Sequence, residues 1–260
     1  LKEYELGATE FIKIPNREGV ALNAYMIKPA NFDPNKKYPV LLYQYSGPGS
    51  QQVLNKFPLD NYWWHQMLSQ KGYIVVVADG TGTGGRGEAF KKKTYLQLGK
   101  LESDDQIDVA NYLGKQSYVD AGRIGIWGWS FGGFMSTICV LKAPKTFKAA
   151  IAVAPVTNWR LYDNVYTERF MRKPSENAQG YDDNAPLQMA KNLEGKYLLI
   201  HGMADDNVHL QNATELSKAL VDANKNFDAF YYTNKNHSIY GGYTRYNLYI
   251  KMTEFLLNNL

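Results

Sequence analysis

A serine in a glycine-rich turn is the first residue of this sequence that could act as a nucleophile. Ser130 is the centre of Gly-Trp-Ser-Phe-Gly-Gly, which follows the apolar run Arg123–Trp127 and opens the helical pattern Phe131–Leu141. Gly-x-Ser-x-Gly alone can be an incidental turn, but between a strand and a helix it is typical of a strained turn that projects the serine hydroxyl. Gly128 and Gly132 have no Cβ, so strand and helix can approach closely. The pattern predicts Ser130 as the nucleophile of an acyl transfer.

A serine hydroxyl needs a base, and the sequence has four histidines. His237 lies in a polar stretch between the last predicted strand and the last predicted helix, where the base sits when a triad runs serine, acid, histidine. His65 is expected to be a packed or surface residue of an aromatic helix. His201 is expected to be a core residue at a strand end, and His209 to lie at a helix start. The predicted base is therefore His237.

The acid that orients this base is expected on the loop after the preceding strand. That loop contains Asp205 and Asp206, within His-Gly-Met-Ala-Asp-Asp-Asn. Either carboxylate could accept the imidazole N–H and hold the required tautomer. An Asp-Asp-Asn loop also favours a turn or a helix cap, and one of the pair is expected to do that. The residues alone leave the choice open.

Elements that could position these groups alternate along the chain as apolar β-branched runs and amphipathic stretches. This alternation predicts a mostly parallel sheet with helices on both faces and a site at the carboxyl ends of the strands. The segment from Thr157 to Asn192 has weak periodicity and is expected to run over the site. The predicted strands are Thr9–Ile14 and Val20–Ile27 (a hairpin), Tyr38–Tyr45, Tyr73–Ala78, Arg123–Trp127, Ala149–Ala154, Lys196–His201 and Phe227–Tyr232, and the predicted helices are Asp60–Gln70, Asp104–Gly114, Phe131–Leu141, Asn212–Asp222 and Tyr243–Leu257.

Composition narrows the class of protein. The chain has 260 residues, of which 45% are hydrophobic and 21% charged, as in a globular domain with a sizeable core. A net charge of +4 is too small to favour nucleic acid, and Lys91-Lys92-Lys93 is expected to be a solvated face. Cys139 is the only cysteine, so no disulfide forms within the chain. No apolar run reaches the roughly 20 residues that span a membrane.

A second glycine pattern suggests a nucleotide site only weakly. Gly82-Thr-Gly-Gly-Arg-Gly87 follows an apolar strand and matches Gly-x-Gly-x-x-Gly. A dinucleotide fold would place a helix on these glycines and a second strand ending in an acid about 20 residues on. Here Glu102, Asp104 and Asp105 precede a helix instead. The glycines are therefore expected to let a loop cross tightly beside the site.

Three segments together resemble one known family closely. They are Gly-Trp-Ser-Phe-Gly-Gly, His-Gly-Met-Ala-Asp-Asp-Asn-Val-His from His201, and Val156–Phe170. They resemble the prolyl oligopeptidase family, and within it the dipeptidyl peptidase IV-like members, over nearly the whole chain. The resemblance implies that residues 1–260 form one catalytic domain with the α/β-hydrolase fold, a mostly parallel central sheet with helices on both faces.

The resemblance also implies roles for individual residues. It selects Asp205 over Asp206 as the triad acid, and it assigns the Tyr45 phenol and the Phe131 backbone N–H to the oxyanion hole. Asn207 is similar to a family residue that holds a substrate carbonyl. From the residues alone, Tyr45 would be a core aromatic at a strand end. The implied proline pocket comprises Val156, Trp159, Tyr162, Tyr166 and Val208. The spacing of three and four between its rings would place them on one helical face, whether they line a pocket or fill the core.

Partners and location follow from the same resemblance. The family's N-terminal β-propeller, which caps the site and grips the substrate's free ammonium, is absent from this chain and is expected elsewhere in the same polypeptide. The C-terminal segment 240–260 is expected to pack on the sheet and could also join a homodimer interface. The expected compartment is extracytoplasmic. Neither a metal nor a cofactor is predicted, because His201 and His209 lack a third ligand at suitable spacing.

Three functions remain to be weighed. The first is a serine exopeptidase that releases N-terminal X-Pro or X-Ala dipeptides from peptides through an acyl-enzyme. The second is an esterase or lipase of the same fold, although Tyr45-Ser46-Gly47-Pro48 stands where lipases have a glycine-rich oxyanion loop. The third is a binding module without catalysis. Retention of Ser130, Asp205 and His237 together favours an enzyme.

Overall fold

The computed structural model describes residues 3–56 and 61–260. In this part of the chain eight strands form one sheet, in the order β1-β2-β4-β3-β5-β6-β7-β8. β1 and β2 form the predicted antiparallel hairpin, β2 also pairs antiparallel with β4, and all other neighbours are parallel. The strands are β1 Thr9–Pro15, β2 Ala21–Ile27, β3 Tyr38–Tyr43, β4 Ile74–Asp79, β5 Val119–Trp129, β6 Ala149–Val153, β7 Lys196–Gly202 and β8 Asp228–Tyr232.

The helices follow the predicted alternation with different bounds. α3 begins four residues before the predicted Asp104, because Gly99 adopts a φ of 93° and starts the helix there. The predicted start of the first helix at Asp60 lies outside the described residues. None of the helices among the described residues is long and apolar enough to cross a membrane. The helices are α1 Tyr62–Gln70, α2 Glu88–Lys92, α3 Lys100–Gly114, α4 Phe131–Lys142, α5 Asn164–Met171, α6 Ala178–Asp183, α7 Pro186–Met189, α8 Gln211–Asp222 and α9 Thr244–Asn259.

Two apolar layers cover the faces of the sheet. Successive side chains of a strand point to opposite faces, so Val40 and Leu42 of β3 join one core cluster and Leu41 joins the other. The first cluster includes α3, α4 and α8, and the second includes α1 and α9. Strands buried on both faces explain the continuous apolar run of β4, in which every residue is buried. The predicted α/β-hydrolase fold, with a mostly parallel sheet and helices on both faces, is confirmed.

The segment between β6 and β7 has more structure than its weak periodicity indicated. It contains two short 3-10 turns, Trp159–Leu161 and Ala190–Asn192, and the helices α5, α6 and α7. α5 has a local signal that the prediction missed, since the Asp163 side chain accepts the Tyr166 N–H at 2.8 Å and caps the helix. The short helices bring aromatic residues back over the carboxyl ends of the strands.

A buried acid lies in the first turn of α3. Glu102 is fully buried; its Oε2 accepts the Gly99 N–H at 3.0 Å, and its Oε1 has no hydrogen-bond partner in the structure. Burial raises the pKa of Glu102 to about 8, although the hydrogen bonds it accepts from the backbone act in the opposite direction. Near neutral pH, folding therefore favours the protonated acid.

We expect this acid to make stability depend on pH. Because the folded state holds the Glu102 proton more tightly than the unfolded state, its stabilising effect is complete below the ordinary pKa of 4.5 and is lost as the pH rises towards about 8. Glu102→Gln cannot ionise, so the variant does not lose this stabilisation as the pH rises. Its free energy of unfolding, relative to the unchanged protein, should therefore increase from about pH 5 to about pH 8.5 in urea titrations followed by tryptophan fluorescence. Glu215→Gln, at an exposed position of α8, should show no such trend. A constant difference for Glu102→Gln would contradict the prediction.

Candidate active site

Ser130 lies in the sharp turn between β5 and α4. Its φ is 60°, a region that non-glycine residues rarely adopt, and its N–H donates to the Val153 carbonyl at 2.8 Å. A Cβ on Gly128 would lie 2.3 Å from the Gly132 carbonyl oxygen, and one on Gly132 would lie 2.6 Å from the Gln44 carbonyl oxygen. The two glycines therefore allow the close approach of strand and helix that the motif predicted.

Two donors point to an oxyanion hole beside this serine. Phe131 is the first residue of α4, so its backbone N–H has no partner within the helix. The Tyr45 side chain, two residues beyond β3, lies close enough to the Ser130 side chain to affect its own pKa. Burial raises the pKa of Tyr45, with the nearby Ser130 side chain acting against it, so the phenol keeps its proton at neutral pH. A phenol O–H and a helix N-terminus can together stabilise the negative oxygen of a tetrahedral intermediate.

The loop that carries Tyr45 is held in place by hydrogen bonds to its backbone. The Asp79 carboxylate accepts the N–H groups of Gln52 at 3.0 Å and Val53 at 2.8 Å. The Gly84 N–H donates to the Ser50 carbonyl at 2.8 Å, and a Cβ on Gly84 would lie 2.7 Å from the Gly49 carbonyl oxygen. The glycine pattern at 82–87 thus lets one loop cross tightly against the Tyr45 loop, as predicted.

Asp205 is the acid that the structure places at the histidine. Its Oδ2 lies 2.8 Å from Nδ1 of His237, while its Oδ1 accepts the N–H groups of Asn207 at 3.0 Å and Val208 at 2.9 Å. Burial alone would raise the pKa of Asp205, but hydrogen bonds from His201, His237 and the backbone, with the charge of His237, hold this pKa well below its usual range. One residue therefore both forms the turn and faces the base, whereas the sequence had suggested that the pair shares these tasks. Asp206 is exposed.

The backbone of His237 is tied to the residue that precedes the nucleophile. The indole N–H of Trp129, which precedes Ser130, donates to the His237 carbonyl at 3.0 Å. Because Nδ1 faces Asp205, Nε2 is the nitrogen left to accept the serine proton. Of the other histidines, His65 is buried and accepts the Trp127 indole N–H at 3.2 Å, and His209 is exposed. The geometry thus agrees with Ser130, Asp205 and His237 as a triad, and their catalytic roles stay predictions.

The rings assigned to the predicted proline pocket contact one another, but they do not share one helical face. Trp159 belongs to a 3-10 turn, Tyr162 is extended, and Tyr166 lies on α5, so the expected single helix is wrong. Tyr162 caps the end of the 3-10 turn, and Asp163 caps the start of α5. The three rings nevertheless lie 5.4–6.0 Å apart between centroids, and Trp159 also lies 5.4 Å from Phe131. A chain of rings therefore connects the nucleophile turn to the pocket.

The rest of the predicted pocket surrounds these rings. Val156, Trp159 and Val208 are buried in the same core cluster, and Tyr162 and Tyr166 are half-buried against it. The Tyr162 hydroxyl donates to Oδ1 of Asn207 at 2.6 Å. Since Oδ1 is occupied in this way, the amide nitrogen of Asn207 is the group that can bind a substrate carbonyl. Within the described residues, no group of three or more His, Cys, Asp or Glu side chains could hold a metal ion.

Comparisons with known proteins identify the family of the chain. The family model described as "Prolyl oligopeptidase family" matches residues 59–260. The chain belongs to the prolyl oligopeptidase family. It is 47% identical over 243 residues to a probable dipeptidyl-aminopeptidase B of Arthroderma benhamiae, and 46% identical over 244 residues to one of Coccidioides posadasii, each match covering 92% of this chain. The crystal structure of dipeptidyl peptidase 4 of Porphyromonas gingivalis superposes on 100% of this chain, with a TM-score of 0.97 and 53% identity.

These relatives are much longer than the chain. It spans 26% of the length of the two curated relatives and 36% of the P. gingivalis chain. The family resemblance read from the sequence is confirmed. What the whole polypeptide cleaves is taken up as a proposal below.

Gly202 is a residue of this prolyl oligopeptidase site that sequence reasoning missed. A Cβ at Gly202 would lie 2.4 Å from the Lys235 carbonyl oxygen and 2.6 Å from that of Asn236. These carbonyls immediately precede His237. The absence of a side chain at the end of β7 therefore lets the acid loop and the base loop touch. The only sequence signal was a glycine between a strand and the acid loop.

We expect Gly202→Ala to separate these loops. A Cβ 2.4 Å from a backbone oxygen is a clash that no side-chain rotation can relieve. The loop that carries His237 must therefore move away from the acid loop, which shifts His237 relative to Ser130. A displacement of this kind should slow fluorophosphonate labelling of Ser130 by about 10- to 100-fold. Gly122→Ala is the matched control, because its Cβ would meet only the Asp120 side chain, at 3.4 Å. Equal labelling rates for the two variants would show that the contact at Gly202 is not needed.

Proposed function

We propose that this chain is the catalytic part of a serine exopeptidase that releases N-terminal X-Pro or X-Ala dipeptides from peptides. The observation that carries the proposal is the hydrogen bond between Asp205 and His237, whose backbone carbonyl accepts the indole N–H of the residue that precedes Ser130 in its sharp turn. The names of the relatives, dipeptidyl-aminopeptidase B and dipeptidyl peptidase 4, support the same activity.

The proposed chemistry assigns one step to each group. The Ser130 hydroxyl oxygen attacks the carbonyl carbon of the second substrate residue, and its proton passes to Nε2 of His237. Asp205 stabilises the imidazolium that results. The Tyr45 O–H and the Phe131 N–H bind the oxyanion. His237 then protonates the leaving amine, and a water molecule activated by the same histidine hydrolyses the acyl-enzyme.

The aromatic pocket supports a preference for proline at the second position. A pyrrolidine ring is rigid and apolar and has no N–H, so walls of aromatic and valine side chains suit it better than hydrogen-bonding groups do. Burial raises the pKa of Tyr162 to about 12, which keeps this pocket phenol neutral at physiological pH. Alanine is small enough to enter the same space. Asn207 would hold the carbonyl of the first residue.

Selectivity for a free N-terminus needs a further group that binds the substrate ammonium. We propose that an N-terminal β-propeller of the same polypeptide supplies it, as the family resemblance implies. The length of the relatives, of which this chain spans 26%, is consistent with such a domain. An extracytoplasmic location is part of the same proposal.

The test uses the complete gene product that carries this chain. We expect it to cleave an Xaa-Pro amide with a free amino group and to spare the N-acetylated amide. Ser130→Ala should lower the rate by about 10³-fold or more and abolish fluorophosphonate labelling. Ser238 is an exposed serine next to the base. Ser238→Ala should keep both the cleavage of the amide and the fluorophosphonate labelling. Hydrolysis of esters without any Xaa-Pro amide would favour the esterase alternative, and absence of labelling would refute the nucleophile.

We further propose that α1 and α9 contribute to a homodimer interface. A surface groove of about 440 Å³ lies between these helices, lined by residues such as Trp63 and Ile250, which are 40% and 36% exposed. Tyr246 beside it is 69% exposed. Exposed apolar residues that cluster in this way are typical of protein interfaces. The C-terminal helix thus packs on the sheet with one face and offers the other to a partner copy.

Light scattering of the complete gene product tests this interface. We expect a dimer for the unchanged protein and a monomer for Tyr246→Glu, because a buried unpaired charge would oppose association. Val221→Glu, on the exposed face of α8, should leave the mass unchanged. A dimer that survives Tyr246→Glu would place the interface elsewhere.

A further inference from the structure

A second histidine lies against the acid of the proposed triad. His201, near the end of β7, is fully buried. Its Nε2 is 2.7 Å from the Val208 carbonyl oxygen and 3.3 Å from Oδ2 of Asp205. Oδ2 is also the oxygen that faces Nδ1 of His237. One carboxylate oxygen is therefore shared by two imidazole rings.

The surroundings of His201 determine its tautomer. A carbonyl oxygen can only accept a hydrogen bond, so Nε2 of His201 must carry the hydrogen. Nδ1 is buried without a hydrogen-bond partner in the structure, so a proton there would be left unpaired. The neutral ring with its N–H at Nε2 satisfies both conditions. This N–H donates to the Val208 carbonyl, and the same nitrogen lies 3.3 Å from Oδ2 of Asp205.

We propose that His201 is a positioning residue, whose Nε2–H ties the triad acid Asp205 to the pocket wall at Val208. This inference rests on the proposed function. Nε2 of His201 lies 3.3 Å from the same Oδ2 that faces His237, so the contact opposes rotation of the carboxylate away from the base. The same N–H fixes the Val208 carbonyl, and with it the turn that presents Asn207. The geometry of the base and that of the substrate pocket therefore depend on one buried donor.

The other charged and titratable groups around this pair are few enough to name. The Tyr162 phenol approaches Asp205 from the loop before α5, and Asp206 is its exposed neighbour. From α9, the Arg245 guanidinium donates to the carbonyls of Ser238 and Ile239, at 2.9 and 3.1 Å, in the loop that follows His237. None of these groups is altered by a change at position 201. A shift in the behaviour of His237 would therefore report on the contact between His201 and Asp205.

Two variants of the complete gene product separate positioning from packing. His201→Leu keeps the volume but removes the donor, and His201→Gln carries an amide N–H close to the Nε2 position. We expect His201→Leu to slow fluorophosphonate labelling of Ser130 by about tenfold or more, since hydrogen bonds to charged groups are strong. With one donor fewer, the carboxylate attracts the proton of His237 more strongly. The acid limb of the rate should therefore move to higher pH in His201→Leu.

We expect His201→Gln to restore both the rate, to within about threefold, and the position of the acid limb. NMR titration of the His237 ring in the Ser130→Ala background gives the same readout without catalysis. This titration tests the role of His201 even if the unchanged protein is not labelled. Failure of labelling would contradict only the proposed function. Equal slowing in both variants with an unmoved His237 titration would show that His201 only fills space. A wild-type rate and titration in His201→Leu would equally overturn the proposal.

Discussion

The rest of the site depends on the hydrogen bonds that the buried carboxylate of Asp205 accepts. A carboxylate removed from water keeps its charge only where hydrogen-bond donors replace the lost hydration. Asp205 has two backbone N–H groups on one oxygen and two imidazoles on the other. These donors come from the end of β7, from the loop after it and from the loop after β8. The Asp205 charge is stabilised by donors from all three segments, so these segments pack together around it. His237 belongs to one of them and is positioned as a consequence.

The order of the strands makes this convergence possible. β3, β5, β6, β7 and β8 are parallel neighbours, so their carboxyl ends lie along one edge of the sheet. Residues far apart in the sequence then need only short loops to meet, and the space for those loops is made by glycine. Gly132 lets the nucleophile turn touch the Gln44 carbonyl, and Gly202 lets the acid loop touch the base loop. Backbone proximity at these two points does as much to assemble the site as the reactive side chains do.

The sequence predicted the sheet, the order of the triad residues and the nucleophile turn because each has a local signature. Alternating apolar runs mark strands, and glycines around a serine mark the turn. It could not choose between Asp205 and Asp206 from the residues alone, since both follow the same strand and only folding buries one of them. It placed His201 in the core correctly but saw no contact with Asp205, because a strand-end histidine has the same pattern with or without a polar partner. The three pocket rings were assigned to one helix because spacing does not reveal the break at Asp163.

The aromatic residues show why pocket and core could not be separated from the sequence. Trp159 is 2% exposed, contacts the core ring Phe134 edge to face and stacks on the half-buried Tyr166. Each such pair contributes about 0.5–1.5 kcal/mol beyond the area it buries, so the inner wall of the pocket is held with the rigidity of the core. Tyr162 and Tyr166 are half-buried, which leaves the outer wall freer to adjust to a ligand. The pocket is thus the exposed end of the core cluster, and the selectivity proposed for it would follow from packing that the fold already requires.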